Sequence, residues 1–202
     1  MRMKKLLLTN DKIHLTVLAG IIVLAAISRL IPHPPNFTPI AAMALFGGAY
    51  FSKRSYAFIV PLIAMLISDM LIMRFVYAHI STIPEYFISS ATISVYISFA
   101  LIVLIGMMLR NNVRPLPIIG AALSSSVLFF LITNFAVWSG STYYPQNLPG
   151  LIACYGAAIP FYRGEIFGSF FLNTVMGDLF FAGVLFGSFE VAKYRFPVLA
   201  KV

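Results

Sequence analysis

The 202 residues are 60% hydrophobic and only 10% charged, whereas an ordinary soluble domain carries about a quarter charged residues; a soluble globular chain is excluded and an integral membrane protein is left. A span needs about 20 residues, so residues 1–202 make a single membrane domain of about five to seven helices. The net charge of +8 lies in short basic clusters between apolar runs, the pattern of membrane-protein loops rather than of a nucleic-acid surface.

In chain order, the apolar runs are 14–31, a short run 38–51, then 56–73, 87–109, 116–138, a second short run 151–162, and 166–189. The basic amino end, Met1-Arg2-Met3-Lys4-Lys5, imitates a signal peptide. It is read as part of an uncleaved first span, because cleavage near Ala26-Ile27-Ser28 would remove one helix from the count. Five runs are long enough to cross. The short ones reach only about 20 Å of a roughly 30 Å core. Charge decides between them. If 38–51 crosses and 151–162 does not, eleven of the fourteen basic residues fall on one side, including Lys53, Arg54, Arg110, Arg114 and Lys193. Only Arg29, Arg74 and Arg163 then face outward, a strong positive-inside bias. The expected fold is therefore an all-α membrane protein, a six-transmembrane-helix bundle with both termini cytoplasmic, a short second span and an outer non-spanning segment near 151–162.

The short second span needs extra reach, which must come from His33-Pro34-Pro35-Asn36-Phe37-Thr38-Pro39, where prolines forbid helix. Extended backbone at membrane depth is tolerated only where protein or a water-filled cavity satisfies it, so an outward-opening cavity beside Asn36 is expected. The run 151–162, interrupted by Gly156 and Pro160, resembles a counterpart, and paired broken segments point to a transporter binding site.

Asp69 and Asp178 each stand inside an apolar run. Intramembrane carboxylates are expensive and face protein or a cavity. In the expected topology Arg29, Asp69, Asn134, Asn173 and Asp178 share the outer half or the midplane. Together with Asn36 and Tyr155, they form the candidate substrate-binding set. Arg29 is the expected partner of Asp178, with Asp69 competing for it. A buried ion pair that merely locks the helices explains the same charges. Trp138, Tyr143, Tyr144, Tyr155, Phe161 and Tyr162 read as an outer interfacial belt, some of which could stack on a planar ligand.

Three pairs of small residues one turn apart, Ala44-xxx-Gly48, Gly120-xxx-Ser124 and Gly183-xxx-Gly187, permit close helix approach within the bundle or onto another subunit. An enzyme is not expected: His14, His33 and His79 lie at or outside span ends, and no nucleophile motif, phosphate loop or His-Glu-x-x-His occurs. His33, His79 and Glu85 form the only outer grouping that suggests a metal, too dispersed in sequence to predict one. Neither a cofactor nor a metal is expected. Cys154 is the only cysteine, so no intrachain disulfide exists.

The strings Ser28-Arg29-Leu30-Ile31-Pro32-His33-Pro34-Pro35-Asn36-Phe37-Thr38-Pro39, Ile67-Ser68-Asp69 and Gly150-Leu151-Ile152-Ala153-Cys154-Tyr155-Gly156 resemble a family of uncharacterised bacterial inner-membrane proteins labelled as transport proteins. That family is similar to the substrate-binding S components of energy-coupling-factor transporters. The resemblance implies a multi-pass protein of the bacterial inner (cytoplasmic) membrane that captures a small-molecule solute from outside. Its implied partners are the lipid bilayer, a transmembrane coupling subunit and ATPases. The chain departs from S components in lacking the Ala-x-x-x-Ala spacing in its first span, where Ala19, Ala25 and Ala26 stand, and in beginning Met1-Arg2-Met3 rather than Met-x-His. The second departure disfavours nickel or cobalt. The alternative function is a non-transporting accessory subunit docked on a larger membrane complex.

Overall fold

Long runs of apolar residues fold into helices, and in the computed structural model five helices among the described residues could cross a bilayer by length and composition. Residues 2–76, 83–159 and 169–200 are described, with side chains over 11–76, 85–159 and 169–199. His79, Pro160, Phe161, Tyr162, Arg163 and Lys201 lie outside the described residues. The helices are α1 (Arg2–Ser28), α2 (Ile40–Tyr50), α3 (Arg54–Phe75), α4 (Ile83–Ile88), α5 (Ser90–Met108), α6 (Pro115–Gly140), α7 (Leu148–Ala157) and α8 (Phe170–Arg195), followed by a 3-10 turn at Pro197–Ala200. No strand occurs among the described residues.

The architecture is a ring around a plug. Helix α2 touches α1, α3, α5, α6 and α8, and neighbours in that order also contact one another around it. Every residue from 40 to 49 is buried. A helix enclosed on all sides must be apolar all round, and Ile-Ala-Ala-Met-Ala-Leu-Phe-Gly-Gly-Ala is. With 11 residues, α2 is about 16 Å long, much shorter than the helices around it. The space that it leaves is at its amino end.

The two ends of α2 are built differently. At the carboxyl end, Gly48 lies so close to Val103 and Gly106 of α5 that any side chain there would collide with backbone, and Gly106 meets Leu45 the same way. Arg110 then satisfies a carbonyl of the last turn and that of the capping residue, donating from Nε to Gly48 O at 2.9 Å and from Nη2 to Phe51 O at 2.8 Å. Phe46 packs edge-on against Phe186 and Phe189. At the amino end the chain is non-helical, but instead of the expected extended stretch it makes a turn. Pro35 and Asn36 form the centre of a turn closed by Phe37 N–H donating to Pro34 O at 3.1 Å. Proline suits the first central position, and asparagine tolerates the positive φ of 63° at the second.

The described bounds differ from expectation in several places. The first helix covers Arg2–Ser28 rather than 14–31. The run 87–109 is divided: Ser89 adopts an extended conformation and caps α5 by accepting from Thr92 N–H, leaving α4 as a separate six-residue helix. The last helix continues to Arg195 rather than stopping near 189. The second short run begins three residues early, at Leu148, because Asn147 caps it through Gly150 N–H. Of the small-residue pairs, only Ala44-xxx-Gly48 lies in a close crossing; Gly120, Gly183 and Gly187 have no neighbour within 4 Å of where a Cβ would stand.

Candidate functional site

The space above α2 holds the intramembrane charges. Arg29 follows the last turn of α1, where 3-10-type bonds from Arg29, Leu30 and Ile31 N–H wind the chain down ahead of Pro32. Its Nη2 lies 2.6 Å from Asp69 Oδ1 on α3, with the two side chains 9% and 1% exposed. Nη1 donates to Ser68 Oγ, which donates in turn to Met65 O at 2.8 Å. Tyr96 of α5 donates to Asp69 Oδ2 at 2.8 Å. The ion pair and the Tyr96 bond thus tie the end of α1, α3 and α5 together, and the single hydrogen bond to the remaining carboxylate oxygen offsets part of the desolvation cost. Arg29 Nε is enclosed with no acceptor among the described residues.

Asp178 is not part of this network. It sits on α8, 3% exposed, and accepts from Ser126 Oγ of α6 at 2.6 Å. Ser126 also lies 3.1 Å from Ala122 O, so the shorter, stronger bond is the one to the carboxylate. The expected Arg29 to Asp178 partnership is absent; Arg29 pairs with Asp69, and Asp178 has no cation partner among the described residues.

Arg29, Asp69, Asp178 and Asn36 line one cavity of about 540 Å³, floored by Ile40 and Ala41 at the amino end of α2. An adjoining cavity of about 410 Å³ is lined by Asn36, Asn134, Tyr144 and Cys154. Asn36, Val95, Phe129 and Thr174 line both. Five of the seven candidate residues therefore reach this space. Asn173 and Tyr155 instead shape it. Asn173 Nδ2 donates to Pro35 O at 2.9 Å, and four residues on, Gly177 lets the backbone of Phe37 and Thr38 approach α8. Tyr155 Oη donates to Leu131 O at 2.5 Å, latching α7 onto α6. Asn134 Nδ2 donates to Phe130 O in its own helix at 2.8 Å.

Tyr96 and Ser126, which hold the two carboxylates, and Ser68, which accepts from Arg29, are absent from the expected set. Each is a lone hydroxyl or part of a serine run inside an apolar helix, a signal easily taken for back-bonding to the preceding turn. Among the described residues, no three His, Cys, Asp or Glu side chains gather where they could hold a metal ion.

An all-helical bundle with several helices long and apolar enough to span a bilayer, and charges held in an internal cavity, defines a multi-pass membrane protein. A family model matches residues 9–199, and the chain belongs to that family, the family of unknown function DUF6580. No curated protein and no solved structure matches it.

Proposed function

We propose that the protein is the substrate-binding subunit of a bacterial inner-membrane transporter, resembling an energy-coupling-factor S component, and that it captures a small solute from the outer side. The observation that carries this reading is the cavity of about 540 Å³ above α2, whose walls hold Arg29, Asp69 and Asp178. A small-molecule site is typically a concave, mostly apolar space of this size with a few converging polar groups. In this reading α2 is the second of six crossings, its non-helical approach through Asn36 completing the distance, and both termini are cytoplasmic. Support comes from the basic residues at the far end of the bundle: Lys12 and Lys53 line one groove, Arg110 caps α2, and Lys193 lies over the Tyr50 ring at 5.4 Å.

Mass spectrometry of small molecules retained by the gently purified protein tests the function. A recurrent retained solute, lost when the cavity is filled by Thr174→Trp, is the expected result; an empty protein in every preparation overturns it. Single cysteines replacing Lys53, Arg114 and Pro145 in a Cys154→Ser background test the topology. Only position 145 is expected to react with an impermeant maleimide in intact cells, and labelling at 53 would remove the second crossing.

The second reading, an accessory subunit docked on a larger membrane complex, draws on the closure of the Arg29 and Asp69 pair by Ser68 and Tyr96, which is how a structural staple is built. Under that reading the cavity is incidental and no solute is retained.

A further inference from the structure

We propose that the larger cavity takes an organic solute bearing a protonated amine or amidinium, and that Asp178 is the group that pairs with it. The inference rests on reading the cavity as a solute site and names the solute's chemistry. Arg29, Asp69 and Asp178 are the Asp, Glu, Lys and Arg residues of the described wall. Arg29 is committed to Asp69, so one carboxylate remains. Of its oxygens, Oδ2 accepts the Ser126 hydroxyl, a neutral donor, and Oδ1 has no donor among the described residues. His33, the other basic side chain of the wall, stands exposed with Nδ1 3.0 Å from Pro34 O.

A buried carboxylate held by one hydroxyl is poorly compensated, and the alternatives in a low-dielectric space are a proton or a cation. The rest of the wall favours an organic cation over a hydrated metal ion. Phe129, Tyr86, Met65 and Ile72 provide apolar surface and ring faces that attract ammonium groups, and no metal-holding cluster occurs among the described residues. The amino end of α2 opens onto the same space, but a helix end offers only about half a positive charge. An anionic solute would be repelled by Asp178 in its ionised form and would gain no charge pairing from it when protonated.

The test is thermal stabilisation of the detergent-purified full chain by matched probes. These are benzamidine against benzamide, phenethylamine against 2-phenylethanol, and benzoate as the anion. The cations are expected to bind at least about tenfold more tightly than their neutral isosteres, and Asp178→Asn to remove that advantage. Asp178→Asn should leave the melting temperature of the unliganded protein nearly unchanged, and Asp178→Glu should keep part of the preference. If the asparagine variant does not fold, the wild-type comparison decides alone. Equal or tighter binding of the neutral probes or of benzoate overturns the assignment to a cation while leaving a solute cavity in place. No stabilisation by either cation also overturns it, and the reading as a solute site falls with it only if no retained molecule is found.

Discussion

The two ends of α2 are made from the same short apolar helix and could hardly differ more. At the carboxyl end glycine backbones of α2 and α5 touch, an arginine closes the last carbonyls and aromatic rings fill the remaining volume. At the amino end, proline and a left-handed asparagine turn the chain outside any helix, and charged side chains line a cavity. The difference teaches that the bundle gains its rigidity at one end and can therefore leave the other unfilled. Within the open end the two carboxylates differ again. Asp69 is bound into a three-helix network, whereas Asp178 leans on a single hydroxyl.

Substitutions can break this contrast in a graded way. The largest effect is expected from Arg29→Gln, which strands Asp69 without its cation and should cost about 3 to 5 kcal/mol. Combining Arg29→Met with Asp69→Asn should recover most of that loss, measured by chemical or thermal unfolding in detergent. If the double variant also keeps full solute binding, the pair is purely structural. Next comes the packed end. Gly48→Leu should separate α2 from α5 at a cost of about 3 kcal/mol or more, since overpacking here meets backbone rather than a flexible side chain. A well-folded Gly48→Leu protein would mean that the crossing is looser than described. Asp178→Asn is expected to change stability by less than about 1 kcal/mol, because the amide can still accept from Ser126. A loss comparable to that of Arg29→Gln would put Asp178 among the structural charges. The smallest effect is expected from Gly183→Ala on the open outer surface of α8, a gain of about 0.5 to 1 kcal/mol from helix propensity alone. A marked loss there would reveal a partner seated on that surface.

Much of this arrangement was legible in the residues. Long apolar runs mark the helices because each must satisfy its own backbone in lipid, and the shortness of 38–51 together with the prolines before it pointed to a non-helical approach and a cavity beside Asn36, though not to the turn that Pro35 and Asn36 make. Depth along the bundle was legible too, which is why Arg29, Asp69 and Asp178 line one space. Direction around the bundle was not. Sequence spacing ranks Asp69 and Asp178 by height, but which of them meets Arg29 depends on how α1, α3 and α8 are arranged around α2. The same limit applies to the small-residue pairs. Three similar patterns were visible, yet only Gly48 meets a partner, and that partner, Gly106, belongs to none of them. The break at Ser89 lacked a glycine or proline and showed only as a serine three residues before Thr92.

The enclosure of α2 has a consequence for biogenesis. Its wall is drawn from α1, α3, α5, α6 and α8, so elements from nearly the whole chain must be present before residues 40 to 49 are covered. While a nascent chain ends before α8, one side of the plug is bare. Asn173 has not yet anchored Pro35, and the wall that carries Thr174 and Asp178 does not exist. The cavity wall is therefore complete only once the last helix is in place. Occupancy of the cavity would then serve as a molecular signature of completed assembly.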